Sequence, residues 1–169
     1  MQDSHITNIE NKLRSNFDLH RDYKLNGENL DLFAEFHVRS ERYILTKSAK
    51  IYAMENNEYC IFKKFKTVNN AIFEMFTEYL ISSIDTLVKP HEEHMSTMIT
   101  GVIIIEGNES NIDENVLEKV KKFKHHKGFS FGFKGWVDVR LVMVCLEDKF
   151  IITSKRGDEV RKVYSLKDN

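Results

Sequence analysis

The sequence holds a single proline, Pro90, with only two cysteines and seven glycines in 169 residues. So little proline excludes Pro-rich docking segments and argues against disordered linkers. Two cysteines cannot staple a disulfide scaffold. Cys60 and Cys145 each sit in an apolar, strand-like run, where a thiol reads as a small buried hydrophobe. Charge of one sign is missing as well. With 25 Lys and Arg against 26 Asp and Glu, the net charge is −1. That excludes a protein that coats nucleic acid through overall basicity, so any polyanion must meet a local patch. The longest strongly apolar run, Met98 to Ile105, is far too short to span a bilayer. Met1 to Arg14 is polar and lacks an apolar leader core. A cytoplasmic location is expected.

Catalytic signatures are also lacking. There is no G-x-S-x-G elbow and no phosphate loop, and neither cysteine lies in an electropositive setting. Gly128, Gly132 and Gly135 do not follow a strand and open a helix, so they make no dinucleotide fingerprint.

What is present is the composition of an ordinary globular chain, 41% hydrophobic and 30% charged, in one domain spanning 1–169. Thr7 and Glu10 make a capping-box pair, and Ile6, Ile9, Leu13 and Phe17 give a first helix. Asn26-Gly27 marks a turn. Leu32 to Arg39 alternates as a strand, and Ser40-Glu41 reads as a tight connection. Tyr43 to Leu45 with Ile51 to Met54 gives a second strand, irregular near Ser48. Asn56-Asn57 reads as a hairpin turn and Tyr59 to Phe65 as a third strand. Ile72, Met75, Phe76, Tyr79, Leu80, Ile84 and Leu87 recur at helical spacing, and Pro90 ends that helix.

Met98 to Ile105 is apolar without alternation, which predicts a central strand covered on both faces. Gly101 in its middle predicts close approach by another element. Ser110 and Asp113 suggest a second capping box, opening a helix with Val116, Leu117, Val120 and Phe123 on its buried side. Phe129 to Phe133 is a strand or an extended lead-in. Strands follow over Trp136 to Leu146, Lys149 to Thr153 and Val160 to Tyr164. The predicted class is α+β: a mixed, mostly antiparallel sheet flanked by helices, in the order αβββαβα followed by antiparallel strands.

Three stretches carry chemistry. Lys119 to Val137 contains no acid and holds Lys119, Lys121, Lys122, Lys124, Lys127 and Lys134. Phe129, Phe131, Phe133 and Trp136 follow at strand-like spacing. Ammonium groups beside aromatic faces suit phosphates and bases. Lys121, Lys122, Lys124 and Lys127 are candidate phosphate contacts; Phe129, Phe131 and Trp136 are candidate stacking faces. The bland reading is a helix end whose lysines answer its dipole, with Glu118 pairing Lys122. The K-G-F-S-F segment, Lys127 to Phe131, resembles the aromatic strand motif of RNA-recognition domains, which implies stacking of alternate aromatics on bases. It departs from that motif at Gly132 and Lys134.

The second stretch is H-E-E-H, His91 to His94. With Glu92 and Glu93 beside them, these histidines are candidate ligands for a divalent metal such as zinc or manganese. His37 or Glu35 are candidate third ligands. The zinc-protease motif spaces its histidines four apart on a helix, whereas these are three apart.

The third feature is the order helix, three-strand meander, helix, strand over Ile6 to Ile105. It resembles the core of restriction-endonuclease-like nucleases. That resemblance implies metal-bound carboxylates and an acid-x-Lys triplet on the third strand. Here Lys63, Lys64 and Lys66 follow Ile61, Phe62 and Lys64, so no such triplet exists; Glu55 and Glu58 flank the expected hairpin. The chain also resembles conserved, uncharacterised cytoplasmic proteins of prokaryotes.

The first functional expectation is therefore a non-catalytic binding protein with nucleic acid as its partner. The enzyme alternative is a metal-dependent hydrolase built on His91 and His94. The third is a homo-oligomeric interaction protein without chemistry, pairing through strands over Lys149 to Tyr164.

Overall fold

The computed structural model describes residues 2–44 and 50–166. Helix α1 spans Gln2–Leu13 and buries Ile6, Ile9 and Leu13, three apolar positions on one stripe. Thr7 lies inside this helix rather than at its start, and Glu10 does other work. Its carboxylate is buried and accepts from Arg21 Nε and Nη2, both at 2.6 Å. This forked pair ties α1 to the outermost strand.

Strand β1 is Asp18–Leu25, β2 Glu28–Ile44 and β3 Lys50–Phe65. Asn26 and Gly27 join the first two with positive φ, 50° and 85°, as a tight hairpin requires. The meander is present but is cut differently from the sequence expectation. Ser40-Glu41 and Asn56-Asn57 are not turns: β2 and β3 run straight through them. β2 ends at Ile44 and β3 begins at Lys50, and the irregularity expected at Ser48 lies outside the described residues. Two β-strands paired over so many residues satisfy every inward backbone group, and that outweighs the local turn preference of Asn.

Helix α2 is Asn70–Ser82, capped by the Asn69 side chain, which accepts from Ile72 N at 2.9 Å. A single helical turn, α3 (Ile84–Leu87), follows, and the chain is extended by Val88, two residues before Pro90. Then come β4 (His94–Ile105), α4 (Glu114–Lys122), β5 (His125–Gly128), β6 (Trp136–Cys145) and β7 (Phe150–Thr153). Asp113 precedes α4 without a side-chain cap; Asn108 instead caps a short 3-10 turn at Glu109–Asn111. Val160 to Tyr164 is not a strand. After a 3-10 turn at Gly157–Val160, this segment folds back onto the sheet and buries Tyr164 against Phe62.

All seven strands join one sheet in the order β1-β2-β3-β4-β6-β5, with β7 pairing the far half of β6. β3, β4 and β6 are mutually parallel and the other pairings are antiparallel. The class is α+β with a mixed, mostly antiparallel sheet. The crossovers through α2 and α4 step the same way across the sheet and pack on one face, as connections of one hand do. α1 and the Tyr164 segment cover the other face. β4 is central, and Ile99 and Val102 to Ile105 are buried on both sides. Both cysteines are free and buried, and burial pushes the Cys60 thiol up to about 12. No helix among the described residues is long and apolar enough to cross a membrane.

Gly101 is where α2 meets β4. A Cβ there would overlap Leu80 Cδ1 and stand 3.0 Å from Leu141 Cδ2. Gly101→Ala is expected to lower stability by about 1–3 kcal/mol through overpacking, read as a shifted midpoint in urea denaturation. A second prediction concerns acid. The hydrogen bond from Arg21 holds the Glu10 carboxyl below its usual 4.5, against the opposing effect of burial. A depressed carboxyl stabilises the fold above 4.5 and loses that contribution as pH falls through the lower folded value. Arg21→Gln is expected to reduce stability at neutral pH and to move the onset of acid unfolding upward, measured by circular dichroism from pH 7 to 2.

Candidate functional site

β5 is a short edge strand whose register on β6 runs from His125↔Val139 to Gly128↔Trp136. It stops at Gly128, so the predicted strand over Phe129 to Phe133 does not form. Residues 129–135 close a compact loop instead. Phe129 N donates to Gly135 O at 2.9 Å, Gly132 N to Phe129 O at 2.9 Å, and Phe133 N to Ser130 O at 3.0 Å. Ser130 and Phe131 adopt the left-handed region, φ 49° and 56°, and Gly132 and Gly135 follow at 90° and 77°. Loop closure through these glycines overrides the alternating pattern of the aromatics. A Cβ at Gly135 would strike the carbonyl oxygens of His94 and Met95.

This loop sorts the aromatics. Phe129 is half-buried, its ring 6.1 Å from that of His94 and 5.4 Å below Lys127 Nζ. Trp136 is half-buried at the start of β6. Phe131 and Phe133 stand in solvent, at 103% and 84% exposure. Of the residues expected to stack, Phe131 alone is fully open. Phe133, which alternation placed on the same face as Phe129 and Phe131, is the second open ring.

The lysines divide likewise. Lys119 pairs with Glu74 at 2.9 Å and Lys121 with Glu118 at 3.2 Å. Glu118 thus takes Lys121 rather than the expected Lys122. Lys127 lies 3.7 Å from Asp85. Lys122, Lys124, Lys134 and Lys155 make no side-chain hydrogen bond or ion pair among the described residues. With Lys127, the first three mark one basic edge, from the end of α4 along β5 to the aromatic loop, while Lys155 stands in the turn after β7.

Beside this edge the sheet opens. β5 pairs β6 only as far as Val139, and β7 ends opposite Val142. Ser154 bridges the gap, its Oγ accepting from Leu141 N at 3.0 Å. A crevice of about 660 Å³ lies there, with Lys121, Lys122, Lys124, His126, Lys155 and Arg156 among its walls. At its floor Asp138, 5% exposed, accepts from His126 Nδ1 at 2.8 Å and from Arg156 Nη2 at 3.2 Å. Arg156 Nη1 reaches Glu159 at 3.5 Å. Behind it the buried Arg140 donates to Glu58 at 2.6 Å, Thr100 at 2.8 Å and Glu159 at 3.3 Å. Neighbouring His125 has its pKa lowered by burial, then by the charges of Lys127 and His126.

His91 and His94 are both hydrogen-bonded within the fold. His94 is buried, with Nδ1 donating to Lys134 O at 2.7 Å and Nε2 accepting from Thr97 Oγ1 at 2.8 Å. Both its ring nitrogens are engaged, and the first bond fastens the aromatic loop to β4. His91 Nε2 meets Glu55 Oε2 at 2.7 Å. Glu35 stands between His20 and His37, at 3.3 and 3.6 Å, while His37 Nδ1 meets Asn57 at 2.7 Å. Among the described residues, no group of three or more His, Cys, Asp or Glu side chains is arranged to hold a metal ion.

Residues 1–166 match a family model described as a domain of unknown function, DUF8052. The chain belongs to the DUF8052 family. No curated protein and no solved structure matches it. Within this DUF8052 chain, sequence reading found the lysines of α4 but missed Lys155, Arg156, His126 and Asp138. The available signal was Asp138 and Arg140, two charges one strand repeat apart in an otherwise apolar run; charge at that spacing marks one polar face on a buried strand.

Gly135→Ala is expected to destabilise the loop, because a side chain meets backbone rather than a movable neighbour. The measurement is amide hydrogen exchange over 129–135, where protection should fall while that of β4 and β6 persists.

Proposed function

We propose that this chain is a non-catalytic binding protein for single-stranded nucleic acid, held along the β5 edge. The observation that carries the reading is the display of Phe131 and Phe133 in solvent on a hydrogen-bonded loop, at the end of an edge where Lys122, Lys124 and Lys134 have no ion-pair partner among the described residues and Lys127 makes only a 3.7 Å contact with Asp85. Open aromatic rings stack on unpaired bases of any identity, and ammonium groups track the phosphates. Lys122, Lys124, Lys127 and Lys134 supply the charge. Phe129 and Trp136 serve as the packed base of the loop. With a net charge of −1, binding is local and strongly weakened by salt.

The test is a titration of fluorescent oligouridylate and of duplex DNA at low and moderate salt. Single strands should bind more tightly than duplex, whose bases are already stacked. A Phe131→Ala/Phe133→Ala variant should lose about five- to a hundredfold in affinity, and Lys122→Glu/Lys124→Glu should weaken binding and flatten its salt dependence. Affinity unchanged in both variants, or no binding by wild type, sinks the reading.

A further inference from the structure

We infer that the crevice between β5 and β7 is a receptor for a phosphomonoester dianion, the terminal phosphate of the strand bound along the β5 edge. It rests on the reading above for the carrier of that phosphate. The site itself stands on separate observations.

The first is charge. Five cations, Lys121, Lys122, Lys124, Lys155 and Arg156, face two carboxylates, Asp138 and Glu159, and of the five Lys121 already pairs with Glu118 at 3.2 Å. Both carboxylates are already shared, Asp138 by His126 and Arg156, Glu159 by Arg140 and Arg156. Lys122, Lys124 and Lys155 answer no carboxylate among the described residues. The surplus matches a terminal phosphate near neutral pH, which carries more charge than an internal diester.

The second is construction. Scattered surface lysines are held by nothing, but here a buried aspartate on β6 holds two of the lining side chains, His126 and Arg156. His126 Nδ1 donates to Asp138, which fixes the ring at the crevice wall, and the donors for an anion are Arg156 and the lysines. Arg156 is steered by Asp138 and Glu159 through bonds of 3.2 and 3.5 Å, longer than the 2.7–2.9 Å of a strong charge-assisted pair. The guanidinium is oriented, yet retains donor capacity for a planar fork on phosphate oxygens.

The third is place. The crevice opens where β5 begins and α4 ends, in line with the basic edge. A strand following that edge from the aromatic loop delivers its end there. A free nucleotide carries the same chemical group, so the experiment separates the two sources.

The experiment compares oligouridylates bearing a phosphate at the 5′ end, at the 3′ end or at neither, by anisotropy on wild type and variants. One phosphorylated end should bind at least tenfold more tightly than the hydroxyl form. Lys155→Ala and Lys122→Ala/Lys155→Ala, exposed changes that spare the fold, should erase that advantage. Arg156→Gln should do the same, with Arg156→Lys restoring part of it. Phe131→Ala/Phe133→Ala should weaken all three oligomers alike and leave the ratio intact.

Equal affinity for phosphorylated and hydroxyl ends, or an advantage that survives Lys122→Ala/Lys155→Ala, overturns the inference while leaving strand binding in place. If no oligomer binds, strand binding fails, and uridine 5′-monophosphate and pyrophosphate decide the crevice alone. Amide shifts at Lys155 to Gly157 that vanish in Lys155→Ala support the receptor on a free nucleotide; no shifts overturn it.

Discussion

The constraint on which everything else depends is the double burial of β4. Its residues from Ile99 to Ile105 have no wet side, so both faces of the sheet must be covered. Parallel pairing to β3 and β6 forces a crossover on each flank, and α2 and α4 provide them on one face. The other face is left to α1 and the Tyr164 segment. Those lids cover the C-terminal halves of β3, β4 and β6. Toward the N-terminal halves the same face turns polar, through Glu58, Thr100, Asp138 and Arg140. The crevice is the outer margin of that polar half.

The edge arises from the same logic. β6 is too long for either partner on its outer side, so β5 and β7 divide it. A break between two edge strands exposes backbone that must be satisfied locally, and Ser154 does this through Leu141 and Gly157. The break also brings the end of α4, the start of β5 and the turn after β7 to one place. Charges far apart in sequence, Lys122 and Arg156 among them, become neighbours there.

Much of this frame was legible. A run without alternation identified β4 as central, Gly101 marked the contact with Leu80, and Pro90 placed the end of the helical segment. The class and element order followed from these. Strand β1 was not legible, because Asp18 to Leu25 is a half-wet outer strand rich in charge, where no face needs continuous apolar residues. The division of β2 and β3 was misplaced because Asn56-Asn57 has turn chemistry that long-range pairing overrides. Val160 to Tyr164 has strand composition but docks as an irregular lid, since the sheet edge is already taken by β7. At the candidate site, the lysines of α4 were found from local density. Their partners required knowing which strands are adjacent, and the open rings required knowing that glycines close the loop.

The cover on the α1 face joins opposite ends of the chain. Ile6, Ile9 and Leu13 share one core with Tyr164, whose hydroxyl lies 3.5 Å from Cys60 Sγ. Neither lid alone can dry that face. The crossover side, with α2 and α4, is built from contacts of modest sequence separation. The opposite side stays open until residue 164 has been made and has returned across the sheet. The molecule thus has an inherent order of assembly, in which one flank of β4 stays wet from its own synthesis until Tyr164 arrives, and the final compaction waits on a loop closure of nearly the full chain.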